Sequence, residues 1–458
     1  MNTRGFASKK LPHQFMGARY VRIIDNPHLA DIGGQFANAA GEKFATHDGL
    51  HAVRFEIAKD QVRFGGVACC VQRFHMSSVA GRTARETCTH DKTPRFRMRM
   101  NRPLNIGILE GDDIGLEVVP ETIKVMRAAA AKAKCAIDWH PLPIGRRAFD
   151  ELGNTLPPGT LEKLDTLDGW VLGPTGHQAY PKNNPNSINP HPILRRHYDL
   201  FANIRPSKSY PGIPCIYKDV DLILVRENNE GFPPDRNVHL GYGEFRPSPD
   251  MTIGIRVITR QGSQKVARAA FDIARTRQRK IVTAVHKDTV FKLACGMFAE
   301  ECRKVAKEYP DVAFNEVLVD TMAAKLIMKP QQFDVIVTTN TFGDILSDAT
   351  SALVGGLGLA PGLSAGPQRA MAQATHGSAP DIAGKGIANP YAMIMSGQML
   401  LQWLGRKHNV EAALRAADLM ELATESVVKA GKVLTADMGG KASTREIGDA
   451  IAAAISTV

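Results

Sequence analysis

Five short apolar or β-branched runs, spaced along the chain and separated by helical patterns, limit what this sequence can fold into. They are "LNIGIL" (104–109), "DGWVLG" (168–173), "DLILV" (221–225), "KIVTAV" (280–285) and "FDVIVTT" (333–339). Each is short enough for a strand buried on both faces. The turn "EGDDIG" leads from the first run into "LEVVPETIKVMRAAAAKA", whose apolar residues recur at helical spacing, and further helical patterns are read over 263–277, 289–308 and 409–430. Such alternation predicts an α/β fold of helix-covered sheets. The segment 236–262, with "MTIGIRVITR", reads as extended rather than helical. Residues 104–458 show no internal repeat and no low-complexity linker.

The formal net charge of +11 raises the question of a nucleic-acid partner, and its placement answers it. The first 100 residues carry +8 and the other 358 only +3. That basicity is scattered, without aromatic-basic interleaving or zinc-finger spacing, so no nucleic-acid partner is expected. Residues 1–100 read as a basic extension of unknown structure. Their acid-poor start has the composition of a transit peptide, yet Pro12 interrupts any long amphipathic helix, and Met98 and Met100 stand just before the regular pattern begins. No apolar stretch approaches the ~18 residues that span a bilayer, and no membrane partner is expected. Seven cysteines without a C-x-x-C pair point to reduced thiols and a cytoplasmic protein.

Chemistry gathers where the predicted strands end. Arg226 and Glu227 follow "DLILV", Lys287 and Asp288 follow "KIVTAVH", Asp320 follows "NEVLV", and Asp344 and Asp348 lie in "TTNTFGDILSD" (338–348). Ligands of open α/β sheets bind outside the carboxyl ends of strands. Asp344 and Asp348 share one helical face, where like charges cost roughly 0.2–0.5 kcal/mol, so something positive should offset them. Carboxylates of this kind suit Mg²⁺ or Mn²⁺; taken singly, Asp344 could equally cap a helix. Arg195, Arg205 and Arg226 form a second group, and guanidinium forks suit carboxylates. Together they suggest a small polycarboxylate beside a cation. "GGLGLAPG" (355–362) has glycines spaced one residue too long for a dinucleotide fingerprint, so a Rossmann fold is not expected. The loop "HGSAPDIAGKGIANP" (376–390) is the more informative glycine-rich segment.

These segments resemble those of the metal-dependent β-decarboxylating dehydrogenases, the isocitrate/isopropylmalate dehydrogenase family. "GILEGDDIGLEVV", "LRRHYDLFANIRP", "VRENNEG", "HKDTVFK", "VDTMAAKL", "TTNTFGDILSD" and "HGSAPDIAGKGIANP" are similar to the family's motifs and occur in its order, over about 104–458. The resemblance implies the family's two-domain fold, with residues 101–203 and 357–458 in a larger lobe carrying the cofactor loop and 204–356 in a smaller lobe with a dimerisation segment. It implies that Arg195, Arg205 and Arg226 clamp substrate carboxylates and that Asp320, Asp344 and Asp348 hold Mg²⁺ or Mn²⁺. Lys287, with Asp320, would serve catalysis, both from the partner subunit of a homodimer with shared active sites. His376, Gly377, Ser378, Ala379, Asp381, Ile382 and Asn389 would contact the cofactor, and Asp381 with Ile382, where NADP-using members tend to carry Lys and Tyr, implies NAD.

The implied reaction oxidises the C2 hydroxyl of a malate-type acid and releases the β-carboxylate as CO₂. Two positions depart from the family. Pro233, preceded by Phe232, stands where members usually carry the tyrosine that helps deliver the closing proton, and Thr289 stands where many have Asn. The stretch before the first arginine, "NPHPILRR", faces the C3 substituent in relatives. Asn189 and His191 there predict a small or polar C3 group, as in D-malate, tartrate or isocitrate, because an isopropyl group against His191 would strand its ring nitrogens. The alternatives are a 3-isopropylmalate dehydrogenase of leucine synthesis and a non-catalytic regulatory subunit of the same family.

Overall fold

The computed structural model describes residues 102–232 and 243–458, together with four two-residue strands between residues 46 and 68. The chain divides into two units, Met1–Lys92 and Thr93–Val458. In the first, Thr46–His47 pairs with Leu50–His51 and Arg63–Phe64 with Val67–Ala68. The remainder of the anticipated basic extension, and Pro233, lie outside the described residues.

The second unit opens with β1 (Leu104–Leu109), α1 (Gly115–Ala133), β2 (Ile137–Pro141), α2 (Gly145–Leu152), α3 (Pro158–Leu164) and β3 (Gly169–Leu172). Next come α4 (Pro190–His197), β4 (Ala202–Lys208), β5 (Asp221–Glu227) and a hairpin of β6 (Glu244–Ser248) and β7 (Met251–Gly254). After α5 (Arg260–Arg275) come β8 (Ile281–His286), α6 (Ala294–Ala306), β9 (Ala313–Leu318), α7 (Val319–Met328), β10 (Val335–Thr338) and α8 (Asn340–Leu353). The chain closes with β11 (Leu363–Ala365), β12 (Ala370–Ala372), α9 (Tyr391–His408), α10 (Glu411–Ala430) and α11 (Thr444–Ile455).

Ten of these strands form one mixed sheet, ordered β9-β8-β10-β5-β4-β11-β12-β3-β1-β2. All five runs singled out above lie in it, and the α/β expectation holds. The buried strands need cover on both faces. One large core packs α1, α9, α10 and α11 through residues such as Val118, Met126, Leu400, Leu404 and Ile451. A second packs α5 and α6 against β8 and β10 through Phe271, Phe298, Val282 and Val337.

Two features position the site. The strands β9, β8, β10 and β5 run parallel, so residues just past their ends gather along one edge of the sheet. Strand β4 runs antiparallel to β5, with Asn203 opposite Arg226 and Arg205 opposite Leu224. Pro206 is tolerated inside this central strand because β11 pairs only with Ala202–Ile204, leaving that side open where Pro206 lacks its N–H.

Two local readings change. The helix anticipated over 289–308 begins only at Ala294, and residues 288–290 form a turn. Val290, Phe291 and Leu293 imitate helical spacing but are exposed, Leu293 at 88%. Within 236–262, β6 and β7 are extended as expected, whereas α5 already begins at Arg260, where Thr259 caps it by accepting from Gly262 N. The glycines of "GGLGLAPG" end α8 and turn the chain toward β11; Gly355 and Gly356 have φ of 127° and 105°.

Candidate active site

Three arginines converge at this edge. Arg226 is the penultimate residue of β5, with its side chain on the face shared by Asn203 and Arg205 of the neighbouring strand, since alternate residues of a strand point the same way. Its Nε and Nη2 donate to Asn340 Oδ1 at 2.8 and 2.5 Å, and its Nη1 donates to Asp344. Helix α8 approaches closely because residue 343 is glycine: a Cβ there would stand 2.6 Å from Arg226 Cγ. Arg205 donates from Nε to Asn203 Oδ1 at 3.2 Å and from Nη1 to Ser347 Oγ, and lies 3.5 Å from Asp348 Oδ1. Arg195, near the end of α4, reaches Gln373 Oε1 at 3.4 Å from Nη2, and its buried Nε has no hydrogen-bond partner.

Burial and mutual repulsion disfavour the charged forms. Arg195 is pushed down to about 9 by burial and then by Arg226 and Arg205; Arg205 falls to about 10, again by burial and then Arg226. Bound carboxylates would relieve both costs. Glu227, buried beside them, is raised to about 8 by burial, although Asn229 N and Glu230 N donate to its oxygens at 2.8 and 2.9 Å.

Asp344 and Asp348 sit one turn apart on α8, and each already faces a guanidinium, Arg226 and Arg205 respectively. The positive charge that their spacing demands is thus partly supplied by the protein itself. Burial first, then Asp344, raises the Asp348 carboxyl above its ordinary range, against the pull of Arg205. Asp344 is the fifth residue of α8, whose N-cap is Thr339, so it is not the cap. Lys287, just past β8, donates to Asp320 Oδ1 at 2.6 Å, and this bond holds the Asp320 carboxyl below its usual range. Among the described residues of one chain, no three His, Cys, Asp or Glu side chains converge as a metal cage. Asp320 and the Asp344–Asp348 pair are therefore separate groups within a single subunit.

Asn189 caps α4, accepting from His191 N at 3.1 Å, and Pro190 takes the first helical position, where its missing donor costs nothing. His191 lies 3.4 Å from Thr175 Oγ1 through Nε2, and Gln373 Nε2 stands 3.0 Å from its Nδ1 and 3.2 Å from its Nε2. Burial, then Arg195 and His177, push the imidazole down to about 3. Both ring nitrogens thus have partners inside the protein. An isopropyl group against His191 would therefore strand neither ring nitrogen, contrary to the expectation from sequence.

The loop 376–390 has no regular helix or strand. Ile114 N donates to Ser378 O at 3.2 Å and Gly384 N to Glu117 Oε1 at 2.6 Å, tying the loop to the start of α1. His376 Nε2 is buried without a hydrogen-bond partner, as a residue awaiting a ligand's polar group would be. Gly377, Ala379, Asp381 and Ile382 lie in the same loop, with Asp381 exposed. Asn389 is otherwise occupied: its amide donates to Asp437 Oδ2 at 2.9 Å and accepts from Tyr391 N at 3.0 Å.

Residues 105–451 match the family described as isocitrate/isopropylmalate dehydrogenase. The chain belongs to this family. It is a decarboxylating dehydrogenase acting on a CH–OH group. The 3-isopropylmalate dehydrogenase of Archaeoglobus fulgidus is 40% identical over 351 residues, covering 76% of this chain and 98% of that protein. The isocitrate/homoisocitrate dehydrogenase of Thermus thermophilus is likewise 40% identical, over 357 residues, 77% of this chain and 99% of that one. The crystal structure of isocitrate dehydrogenase from Methylococcus capsulatus superposes with a TM-score of 0.68 at 37% identity, covering 77% and 99% of the two chains. Among the described residues of this dehydrogenase no helix is long and apolar enough to cross a membrane.

Asn203, Asn340, Ser347, Thr175 and Gln373 went unremarked in the sequence. Asn340 and Ser347 sit inside the quoted aspartate motif, four residues before and three after Asp344, and helical spacing alone could have flagged them. Gln373 carries no such signal.

Proposed function

We propose that this dehydrogenase oxidises and decarboxylates a 3-substituted malate with NAD and Mg²⁺ or Mn²⁺, and that 3-isopropylmalate is its substrate. The observation that carries the reading is the convergence of Arg195, Arg205 and Arg226, whose charged forms burial disfavours, with two aspartates past the strand ends. Several relatives are named 3-isopropylmalate dehydrogenases, which favours the bulky apolar C3 group over the small polar one anticipated from Asn189 and His191.

Arg195, Arg205 and Arg226 bind the two malate carboxylates, fixing C2 and C3 in one orientation. Asp344 and Asp348, with Asp320 of a second subunit, suit a hard divalent cation by charge and oxygen chemistry. A cation held there would supply Lewis-acid polarisation of the C2 oxygen, and NAD, held by the loop 376–390, would supply the hydride acceptor. Lys287, as the neutral amine, takes the hydroxyl proton, and its contact with Asp320 keeps the side chain aimed. The resulting β-keto acid loses its C3 carboxylate as CO₂, the bonding pair passing into the C2 carbonyl as an enolate that takes up a proton at C3.

The working unit on this reading is a homodimer with shared sites. Leu293, Met328 and Ile345 are 88%, 70% and 66% exposed in a single chain, near Lys287, Asp320 and Asp344 in sequence, as a surface covered by a second copy would be. The larger lobe then comprises residues 101–203 and 357–458 and the smaller 204–356, a division supported by apolar cores that segregate along nearly the same boundary. Measuring kcat/KM for 3-isopropylmalate, isocitrate, homoisocitrate, D-malate and tartrate with NAD and NADP tests the assignment. The highest value is expected for 3-isopropylmalate with NAD. A preference of about tenfold for any other acid, or for NADP, would overturn it.

A further inference from the structure

Lys287 and Asp320 leave the sheet side by side. They follow His286 and Leu318, which are in register on the parallel strands β8 and β9, and Lys287 Nζ donates to Asp320 Oδ1 at 2.6 Å. That contact cannot hold the two groups in place by itself, because Asp320 is 62% exposed and surface pairs of this kind contribute little. What fixes them lies beneath. His286 is buried at the end of β8, with its Nε2 3.1 Å from Glu316 Oε1 on β9 and its Nδ1 3.3 Å from Oδ1 of Asp288, just past Lys287. Arg303 of α6 closes the ring: its Nε donates to Glu316 Oε2 at 2.8 Å, and its Nη2 lies 3.9 Å from Asp288 Oδ2. Beyond it, Val290 N and Phe291 N donate to Lys287 O at 3.1 and 2.9 Å. The residues on both sides of Lys287 are thus tied to the strand that leads to Asp320.

We propose that His286 is a positioning residue: by bridging Glu316 and Asp288 it locks the turn at Lys287 to β9, so that Lys287 and Asp320 enter the second subunit's site as one rigid pair. The inference rests on the reading above, in which both residues serve a site completed by Asp344 and Asp348 of the other chain. A proton acceptor works only within hydrogen-bond reach of the hydroxyl, and a displacement of about 1 Å costs a factor of about 10². Exposed side chains owe such precision to the buried groups that support them. With the imidazole gone, the link between Glu316 and Asp288 runs through Arg303 alone, and the ladder between the strands ends at His286 and Leu318.

The test separates positioning from folding by asking which of the two sites in a dimer is lost. His286→Ala should lower kcat for 3-isopropylmalate by about tenfold to a hundredfold with KM changed less than about threefold, and His286→Gln, which still reaches Glu316, should recover most of the loss. Dimers of two differently tagged chains, isolated through both tags, then sort the defect. Paired with D344N, an H286A chain should give about half the wild-type kcat per dimer, because its own Asp344 meets an intact Lys287 from the other chain. Paired with K287M, it should give no more than the H286A dimer itself. A chain that merely folds poorly damages both sites and is recovered by neither partner. Should H286A fail to form dimers, Glu316→Ala, at a half-buried residue, removes the same bridge from the β9 side and should sort in the same way. Wild-type kcat in both variants, or an H286A chain that D344N does not recover although mixed dimers form, would overturn the proposal. The K287M–D344N dimer is the control: no recovery there would sink the shared-site reading and action across the interface with it, whereas recovery there alone sinks only the role of His286.

Discussion

Asp344→Asn should fold normally and lose roughly a hundredfold to a thousandfold in kcat/KM. A cation acting as Lewis acid lowers the barrier by several kcal/mol, at about 1.4 kcal/mol per factor of ten. The substitution removes one anionic ligand, while the amide oxygen can still accept from Arg226, which is itself buried. Arg226 keeps an acceptor but loses its anionic partner, so a lowered but still cooperative thermal transition is expected. Binding of Mn²⁺, followed by its paramagnetic resonance in the presence of substrate, should weaken in parallel with turnover. Activity within about threefold of wild type would remove Asp344 from the metal site.

Lys287→Met should lower kcat by about 10²–10⁴, the range associated with loss of a positioned proton acceptor, with a much smaller change in substrate binding. The variant also breaks the contact to Asp320, a surface pair whose loss is a minor matter for stability. Together with Asp344→Asn it tests the shared site. Each variant alone makes dimers in which both sites lack one group. Mixed dimers, formed by unfolding and refolding the two together, would contain one site with both groups intact. Recovery of activity on mixing is expected; no recovery, with mixed dimers demonstrated by mass, would place both residues in one subunit's site.

The parts of this molecule legible from sequence are those governed by local pattern. The five strand runs are apolar on both faces and bounded by turns, and the residues after them follow automatically to the ligand edge. Asp344 and Asp348 could be placed on one helical face for the same reason. Elements without local contrast were missed. Helix α9 is buried nearly all round, so it shows no polar stripe to mark its period. Strands β11 and β12 have three residues each, too few for alternation to register. At 290–293 the pattern misled outright, because exposed apolar residues have the spacing of a core-facing helix.

Within the site, the boundary is between residue type and residue partnership. Three arginines and two aspartates were identified by chemistry, yet which arginine faces which aspartate depends on the pairing of β4 with β5 and on the close approach that Gly343 allows. His191 was identified, but its meaning reversed once Gln373 and Thr175 were found at its nitrogens, 182 and 16 residues away. Asn189 was assigned to the pocket and proves to be a helix cap, a role its neighbour Pro190 would have suggested.

The central claim, oxidation coupled to decarboxylation at a metal-bearing polycarboxylate site, is tested most directly by stoichiometry. NADH and CO₂ should be measured in the same reaction with 3-isopropylmalate and NAD, first with Mn²⁺, then with excess chelator, then after Mn²⁺ is restored. The account predicts one CO₂ for each NADH, loss of both in chelator and return of both with the metal. NADH formed without CO₂, or turnover that chelator leaves untouched, would contradict it.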